Sequence, residues 1–359
     1  MIQAITLENF RGHKKLVMKG VTPLTLVSGK NNVGKSTLLE AIFALQAHRA
    51  PDVFNNLSAL RGNGLENLLQ SWESLFHKMN SDEPIRFGLQ HTDETNSSLV
   101  FRKETNLSLV AIQNPDQSPA PVIGQSIAQE RLPYAIRFEY NHGDYAEEGY
   151  FYANQLQTSV NIKTSLEHNE QEVLPWTLFI NPIGFKIEMN LMEWMGAIEL
   201  KDKKDYIVDC LKMIDPATKD IFTAAQNGLT QLYVKKQEGV FPLKYAGDGF
   251  VKLLYLLSAI LYQNNSLILI DEIENGLHYS MYEKVWEMIA KVAAENSSQI
   301  IATTHSYELI TESCKGIKTS GREQDFSFHR LEKRADETRD NCYNLELLDV
   351  AFQSDLEVR

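Results

Sequence analysis

The sequence predicts an α/β fold that combines a mixed or parallel sheet with an antiparallel β meander and helical insertions. Three observations predict it. Residues 267–270 and 299–303 are short runs that are apolar on both faces, as strands buried between layers of helices are. Segments in which apolar residues recur at helical spacing lie before and between these runs. From about residue 84 to 165 the hydrophobic period changes to two, which is typical of strands.

The first half of the chain supplies the opening strands, a helix and the meander. Residues 2–8 alternate apolar and polar side chains, and residues 24–27 form an apolar run that ends at Ser28 and Gly29. Residues 37–47 have helical spacing, and residues 51–80 predict an irregular helical packing segment. The predicted meander has strands at 85–89, 99–102, 134–140 and 149–152, a turn at 141–144 and a loop with three prolines at 113–121.

The second half alternates helices with short strands. Residues 189–213 return to helical spacing and stop at Asp215 and Pro216. A hairpin at 231–234 and 240–243 precedes a strongly apolar helix at 250–263. Helix 279–295 stands between the two buried strands, and the tail adds two more predicted strands at 326–331 and 344–348.

Composition narrows the functional class. The chain of 359 residues has a net charge of −12, which argues against a dedicated nucleic-acid binder, although a local basic groove stays open. Cys210, Cys314 and Cys342 are far apart, so we expect a reducing compartment, no disulfide framework and no zinc site. The amino terminus does not resemble a signal peptide, and the longest apolar stretch, 250–262, is too short to span a bilayer. These features predict a cytoplasmic protein without a membrane segment.

The strongest motif is a glycine-rich turn between a strand and a helix. Residues 29–37, Gly-Lys-Asn-Asn-Val-Gly-Lys-Ser-Thr, match the phosphate-loop pattern G-x-x-x-x-G-K-[ST]. Gly29 and Gly34 let the backbone curl so that its N–H groups point at phosphate oxygens, and the following helix presents its positive end. The motif predicts that ATP and Mg²⁺ bind here, with Lys35 at the β- and γ-phosphates and Ser36 on the metal. Nucleotide contacts are also predicted for Asn31, Asn32 and Thr37.

Two later motifs follow buried strands. Asp271 and Glu272 end the apolar run 267–270, which predicts that Asp271 holds Mg²⁺ and Glu272 polarises the attacking water as general base. Glu274 either orients Asn275 and Gly276 or is an acid at a helix start. His305 follows the buried run 299–303, and we expect it to contact the γ-phosphate and to take part in catalysis with Glu272 and Lys35.

A fourth motif precedes the apolar helix of the second half. Gly247 and Gly249 stand at the helix start in the run Tyr-Ala-Gly-Asp-Gly. A helix amino terminus offers N–H donors and a positive end to an anion, so these glycines are candidate phosphate contacts.

Together these residues resemble an ABC-type ATPase of the branch that includes RecF, the SMC proteins and the OLD nucleases. The resemblance is carried by the opening residues 5–12, the phosphate loop, the run LILIDEIENGLH at 267–278, which is similar to the family's Walker B and D-loop, and TTHS at 303–306. It implies a two-lobed P-loop head at 1–359. One lobe, 1–180, carries the phosphate loop and meander, and the other, 181–359, carries the helical segment, signature loop, Walker B and His switch.

The resemblance also implies a homodimer in which two ATP molecules are sandwiched between two heads. Gly247 and Gly249 of the signature loop then cap the nucleotide held by the partner, and Arg11 is carried over as a further nucleotide contact. Tyr245 stands where the family usually has a serine, which implies slow hydrolysis. Gln90 is a candidate for the family's Q-loop glutamine by position alone.

The sequence has no long heptad array and no space after His305 for the Toprim nuclease domain of the OLD nucleases, so we expect a bare head. The resemblance suggests a sensor or switch for a separately encoded effector, a nuclease or toxin, as in anti-phage defence. A RecF-like repair ATPase that binds DNA with ATP is the main alternative. A small-molecule kinase and a scaffold that binds ATP without turnover also stay open.

Overall fold

The computed structural model describes residues 1–49, 53, 57, 68–104, 134–153, 158–164, 175–181, 187–226, 228–335 and 337–354. The strands are β1 (Ile2–Phe10), β2 (His13–Lys19), β3 (Leu24–Gly29), β4 (Ile85–His91), β5 (Asn96–Glu104), β6 (Tyr134–His142), β7 (Tyr145–Ala153), β8 (Thr158–Thr164), β9 (Thr177–Ile180), β10 (Thr218–Gln226), β11 (Leu229–Lys236), β12 (Gly239–Pro242), β13 (Leu267–Ile270), β14 (Gln299–Thr303), β15 (Phe326–Arg334) and β16 (Glu337–Tyr343). The helices are α1 (Lys35–Gln46), α2 (Leu68–Glu73), α3 (Ile187–Leu200), α4 (Lys204–Lys212), α5 (Asp248–Tyr262), α6 (Tyr282–Glu295), α7 (Tyr307–Ser320) and α8 (Leu345–Gln353).

A single 13-stranded sheet runs through both halves of the chain, in the order β8-β7-β6-β5-β4-β1-β2-β16-β15-β3-β14-β13-β9. Its parallel part is β15-β3-β14-β13-β9, and its meander part, β8 to β4, is antiparallel. A smaller sheet, β10-β11-β12, lies apart. The mixed α/β architecture with an antiparallel meander is therefore confirmed. Because the two predicted lobes share one sheet, the division at residue 180 stays a prediction.

The parallel strands are buried on both faces, as their composition predicts. Along β13, Ile268 and Ile270 point into one apolar core, which α3, α5, α6 and α7 cover. Leu267 and Leu269 point into the other core, which contains α1 and the apolar residues of the meander. This double coverage explains why these runs are apolar without alternation.

Several predicted elements differ from the structure. Residues 344–348 are not a strand: Asn344 caps α8, its side chain accepting a hydrogen bond from the N–H of Leu347, and the second tail strand is β16. The segment 189–213 is two helices, α3 and α4, and the hairpin 231–243 gains β10 as a third strand. The short strand β9 was not predicted. Of the helical segment at 51–80, α2 is described, and the loop at 113–121 lies outside the described residues.

Gln90 is not a nucleotide-site residue. It lies on β4, where its register partners are Ala4 near the start of β1 and Asn96. Gln90 therefore lies near the amino end of β1. The glycine turn lies near the carboxyl end of β1, where His13 contacts the carbonyl oxygen of Gly34. The Q-loop prediction for Gln90 is therefore wrong.

Among the described helices, none is long and apolar enough to cross a membrane.

Candidate active site

The glycine turn between β3 and α1 has a backbone that side chains would block. Gly29 and Gly34 have φ of 143° and 106°, in the region that favours glycine. A Cβ atom at Gly29 would lie 2.5 Å from the carbonyl oxygen of Leu331, and one at Gly34 would overlap the imidazole of His13. The two glycines of the motif are thus required by the fold of the turn, and the turn opens onto the amino end of α1.

Lys35 bends back over this turn. Its Nζ donates a hydrogen bond of 2.7 Å to the carbonyl oxygen of Gly29. Burial lowers the pKa of Lys35, while the negative charges of Asp271, Glu272 and Glu274 raise it in opposition. The lysine therefore lies within electrostatic reach of acids that are more than two hundred residues later in the chain.

His13 packs against the glycine turn at Gly34. The sequence does not predict this contact. Its Nε2 lies 3.0 Å from the carbonyl oxygen of Gly34, and its Nδ1 lies 2.8 Å from the hydroxyl of Thr338 on β16. Burial lowers the pKa of His13 to about 4, so the ring is neutral at physiological pH. Nothing local in the sequence marks this residue, because its partners come from distant segments.

Asp271 and Glu272 follow β13 directly, and Thr303 at the end of β14 holds both. The Thr303 hydroxyl donates to Asp271 Oδ1 at 2.6 Å and accepts from the N–H of Glu272 at 2.9 Å. Glu272 has φ of 50°, an uncommon backbone conformation for a non-glycine residue that concentrates at functional sites. Its Oε2 accepts a hydrogen bond from the side-chain amide of Asn275. The predicted metal ligand and general base are thus fixed by one neighbouring strand.

His305 and Glu274 form a close pair beside Glu272. Glu274 Oε1 accepts a hydrogen bond of 2.9 Å from the N–H of His305 and lies 3.0 Å from its Nδ1. The same ring nitrogen lies 4.0 Å from Glu272 Oε1. The structure therefore gives Glu274 a role that sequence reasoning left open: it holds His305 rather than Asn275 or Gly276.

The signature-type loop contacts the turn after β13. A Cβ atom at Gly249 would lie 2.8 Å from the carbonyl oxygen of Gly276, whereas one at Gly247 would meet nothing within 4 Å. Lys252 on α5 donates to the carbonyl oxygens of Glu272, Ile273 and Asn275, the shortest at 2.6 Å. Burial lowers the pKa of Lys252 to about 8. Hydrogen bonds and close packing therefore join the first turns of helix α5 to the turn that follows β13.

The remaining predicted residues differ in position. Asn31 and Asn32 are exposed on the glycine turn, Ser36 is half-buried in the first turn of α1, and Thr37 is buried there. The guanidinium of Arg11 donates to Glu40 Oε2 and to the carbonyl oxygen of Leu57. These two contacts hold Arg11 against the helical region, so its role at the nucleotide stays a prediction.

The oxygen-rich donors of this site suit Mg²⁺. A hydroxyl at Ser36 and a carboxylate at Asp271 are hard ligands of the kind that Mg²⁺ uses together with phosphate oxygens. Glu274 Oε2 is buried and has no hydrogen-bond partner among the described residues, so this oxygen can accept a hydrogen bond from a bound polar group. The residues present therefore fit a magnesium nucleotide.

Comparisons with known proteins agree with this geometry. A family model described as "AAA ATPase domain" matches residues 1–172, and one described as "AAA domain, putative AbiEii toxin, Type IV TA system" matches residues 212–311. A protein of Helicobacter pylori named "ATP/GTP phosphatase" is 26% identical over 347 residues, which are 91% of this chain and 90% of that protein.

A solved SMC head bound to the C-terminal winged-helix domain of ScpA aligns over 96% of this chain and 98% of its own, with a TM-score of 0.52 and 13% identity. This likeness shows the fold alone. The SMC head domain of Thermotoga maritima aligns over 96% of this chain and 99% of its own, with a TM-score of 0.43 and 8% identity. The family matches and the named relative support ATP hydrolysis, so the chain is an ATPase, and its fold is a P-loop α/β fold like that of the solved SMC head.

Proposed function

We propose that this ATPase is a nucleotide-driven switch of the OLD-like branch. ATP and Mg²⁺ bind at the glycine turn, two copies close face to face over the nucleotides, and hydrolysis opens them. A separately encoded effector reads the closed state. Three cysteines that are free among the described residues favour a reducing compartment, so we place the switch in the cytoplasm.

The observation that carries the proposal is the openness of the hydrolytic groups. The side chains of Glu272 and His305 are 38% and 49% exposed, although they stand beside the buried Asp271 and Glu274. Hydrolysis by a general base works best when bulk water is excluded and charges act in a low dielectric. A second surface is needed to close this site, and Gly247 of a second copy can supply backbone N–H groups to it.

Exposed aromatic side chains surround the same edge. Tyr245 in the signature-type loop, Tyr279 after the catalytic turn and Tyr307 after His305 are 72%, 65% and 39% exposed. Tyrosine is enriched where proteins associate, because it adds apolar area and keeps a polar tip. The Lys244 ammonium lies 5.2 Å from the ring centre of Tyr245 and holds that ring at the surface. These side chains support closure of two heads at this face.

The chemistry follows from the positions of the four motif residues. Lys35 neutralises charge on the phosphates, and Glu272 accepts a proton from the attacking water. His305, held by Glu274, donates a hydrogen bond to the γ-phosphate. Ser36 and Asp271 would hold Mg²⁺, which would supply positive charge near the phosphate oxygens. Tyr245, in place of a small residue, weakens the contact of the signature-type loop with the partner's γ-phosphate and makes turnover slow, although its exposed ring adds area to the dimer face.

The effector is proposed from the resemblance rather than from the site. The family description that covers residues 212–311 names a toxin–antitoxin system and a putative toxin that carries such a domain, which supports a link to toxin systems. We propose that the switch is read by a separately encoded nuclease or toxin, in anti-phage defence. A neighbouring gene of that kind, co-expressed with Glu272→Gln, should copurify with it in ATP. It should not copurify with Lys35→Ala, which cannot bind the nucleotide.

The central test measures mass in solution. Glu272→Gln removes the general base and keeps the hydrogen-bond acceptor for Asn275, so it should hydrolyse ATP at least about a hundredfold more slowly and accumulate as a dimer with ATP. Light scattering should show this dimer with ATP, and a monomer with ADP. Lys35→Ala should stay a monomer in both. An unchanged particle for Glu272→Gln with and without ATP would reject ATP-driven closure.

A further inference from the structure

A cysteine, a histidine and an aspartate meet between β15 and β16, outside the predicted nucleotide-site residues. His329 on β15 stands directly opposite Cys342 on β16 in the strand register. Its Nδ1 lies 3.0 Å from both carboxylate oxygens of Asp340, and its Nε2 lies 3.7 Å from Cys342 Sγ. The His329 side chain is fully buried and that of Asp340 is 6% exposed, whereas Cys342 is exposed. A buried histidine–aspartate pair thus stands directly behind an accessible thiol.

The neighbours of this imidazole favour its charged form. Burial alone lowers the pKa of His329, but its hydrogen bonds and charge interactions with Asp340 and Cys342 outweigh burial and raise it to about 9. The Nε2–H group then faces the sulfur and the hydroxyl of Ser327, which is 3.2 Å away. A positive imidazolium next to a sulfur stabilises the thiolate, which is the nucleophilic form of cysteine.

The other cysteines provide an internal contrast. Cys210 and Cys314 are buried, and burial raises their pKa to about 11 and about 12. Both are therefore held as neutral thiols without access to solvent, which makes them unreactive. One thiol out of three combines exposure with a cationic neighbour.

We propose that Cys342 is a peroxide-reactive modification site, activated by His329 and Asp340. The thiolate sulfur attacks one oxygen of a hydroperoxide, the S–O bond forms and the O–O bond breaks. Sulfur loses two electrons and the peroxide gains them. The leaving hydroxide or alkoxide takes the proton from His329 Nε2 and departs as water or alcohol, and Cys342 becomes a sulfenic acid.

The three residues of this cluster are not among the predicted nucleotide-site residues. Cys342 Sγ lies 3.3 Å from the position that a Cβ atom would take at Gly20, in the turn after β2. Ser327, the neighbour of His329, is the second residue of β15, and Leu331, further along the same strand, lies against Gly29 of the glycine turn. Because β15 runs parallel to β3, the thiol lies toward the end of the sheet away from the phosphates.

The test compares the thiol with glutathione. The native protein is treated with iodoacetamide at pH 6, and adducts are located by mass spectrometry. We expect one adduct per chain, at Cys342, forming at least about tenfold faster than on glutathione at that pH. Hydrogen peroxide should give one sulfenic acid at Cys342, trapped by dimedone. Cys342→Ser should give neither product and should hydrolyse ATP at the wild-type rate.

Two variants separate activation from exposure alone. His329→Asn removes the charge behind the sulfur, and Asp340→Asn removes the carboxylate that maintains it. Each should slow alkylation at pH 6 to the rate of glutathione, with circular dichroism as the check of folding. If His329→Asn does not fold, Asp340→Asn alone decides. A wild-type rate equal to that of glutathione, or an unchanged rate in the folded variants, overturns the proposal.

Discussion

At the scale of single residues, Thr303 shows what a motif leaves out. The motif residues Asp271 and Glu272 could be identified because an apolar strand that ends in two acids is a local pattern. Thr303 lies 31 residues beyond Glu272, yet its one hydroxyl fixes the side chain of Asp271 and the backbone of Glu272. Thr303 is the first residue of the run TTHS, but that motif points to His305 and assigns no role to the threonine. Its role becomes visible only when β14 lies beside β13.

Replacing Thr303 with valine keeps the shape of the side chain and removes both hydrogen bonds. We expect Thr303→Val to lower the rate of ATP hydrolysis by roughly 10- to 100-fold, the usual effect of losing a group that orients a metal ligand. Nucleotide affinity measured by calorimetry in EDTA should change little, because Lys35 and the glycine turn are untouched. Phosphate release gives the rate.

Thr223→Val is the matched control, since Thr223 is an exposed threonine on β10 outside the site. It should hydrolyse ATP at the wild-type rate. A Thr303→Val variant as active as this control, at saturating Mg²⁺, would show that the hydroxyl does not position the acids.

At the scale of elements, the sequence predicted those whose signals are local. The glycine turn, α1 and the buried strands β13 and β14 were found because their apolar runs and their punctuation lie next to each other. The helix α8 was mistaken for a strand, since residues 344–348 alternate apolar and polar side chains over too short a span to separate the two periods. Asn344 is a helix-capping residue that could have corrected this.

The strand β9 was missed for a different reason. It has only four residues, and three of them, including Phe179, are half-buried. Its parallel pairing with β13 stabilises it, and the N–H of Asp271 donates to the carbonyl oxygen of Ile180 at its end. Such a strand exists because of its neighbour, and a single sequence does not record that neighbour.

Helix α5 and the turn after β13 form a coupled pair of elements through Lys252. Lys252→Met keeps the length of the side chain and removes the donor to three carbonyl oxygens. Because Glu272 holds an unfavourable backbone conformation in that turn, we expect hydrolysis to fall by roughly tenfold or more.

The Lys252→Met variant should also lose one contribution to the pH dependence of its stability. The pKa of Lys252 is about 8 in the folded protein and 10.5 in the unfolded chain. Between pH 8 and pH 10.5 the unfolded chain therefore binds more protons than the folded protein. Because of this difference, the stability of the wild-type protein rises with pH over that range.

Lys201→Met is the control for this pair of elements. Lys201 donates to the carbonyl oxygen of Tyr262 at the other end of α5, far along the helix from Lys252. Urea unfolding at pH 8 and pH 10 should show a larger gain of stability for wild type and Lys201→Met than for Lys252→Met. Equal gains in all three proteins would contradict the assignment of this proton to Lys252.

At the scale of the whole molecule, the site is assembled by sheet order. Strands β3, β14 and β13 are adjacent and parallel, so their carboxyl ends bring Lys35, His305 and Asp271 to one edge, although the chain separates them by up to 270 residues. The sequence supplied the residues and the resemblance supplied their grouping. Order and register follow from long-range pairing, which composition and spacing do not encode.

The proposed dimer makes each site composite, and this can be tested by mixing two inactive chains. Lys35→Ala disables the glycine turn and keeps the signature-type loop. Gly247→Asp places a negative charge in that loop, and the structure leaves space for its Cβ atom. Gly249 is unsuitable, since a side chain there would collide with Gly276 in the same chain.

In a mixed dimer, the intact turn of one chain faces the intact loop of the other. Each variant alone should be inactive, and an equal mixture should recover a clear fraction of the wild-type ATPase rate, because each mixed dimer has one complete site out of two. Mixing Lys35→Ala with Glu272→Gln gives the control: both defects affect the same half-site, so each site of the mixed dimer keeps one of them and no activity should return. If the first mixture is as inactive as the control while ATP-dependent dimers are seen by light scattering, the loop does not act across the interface.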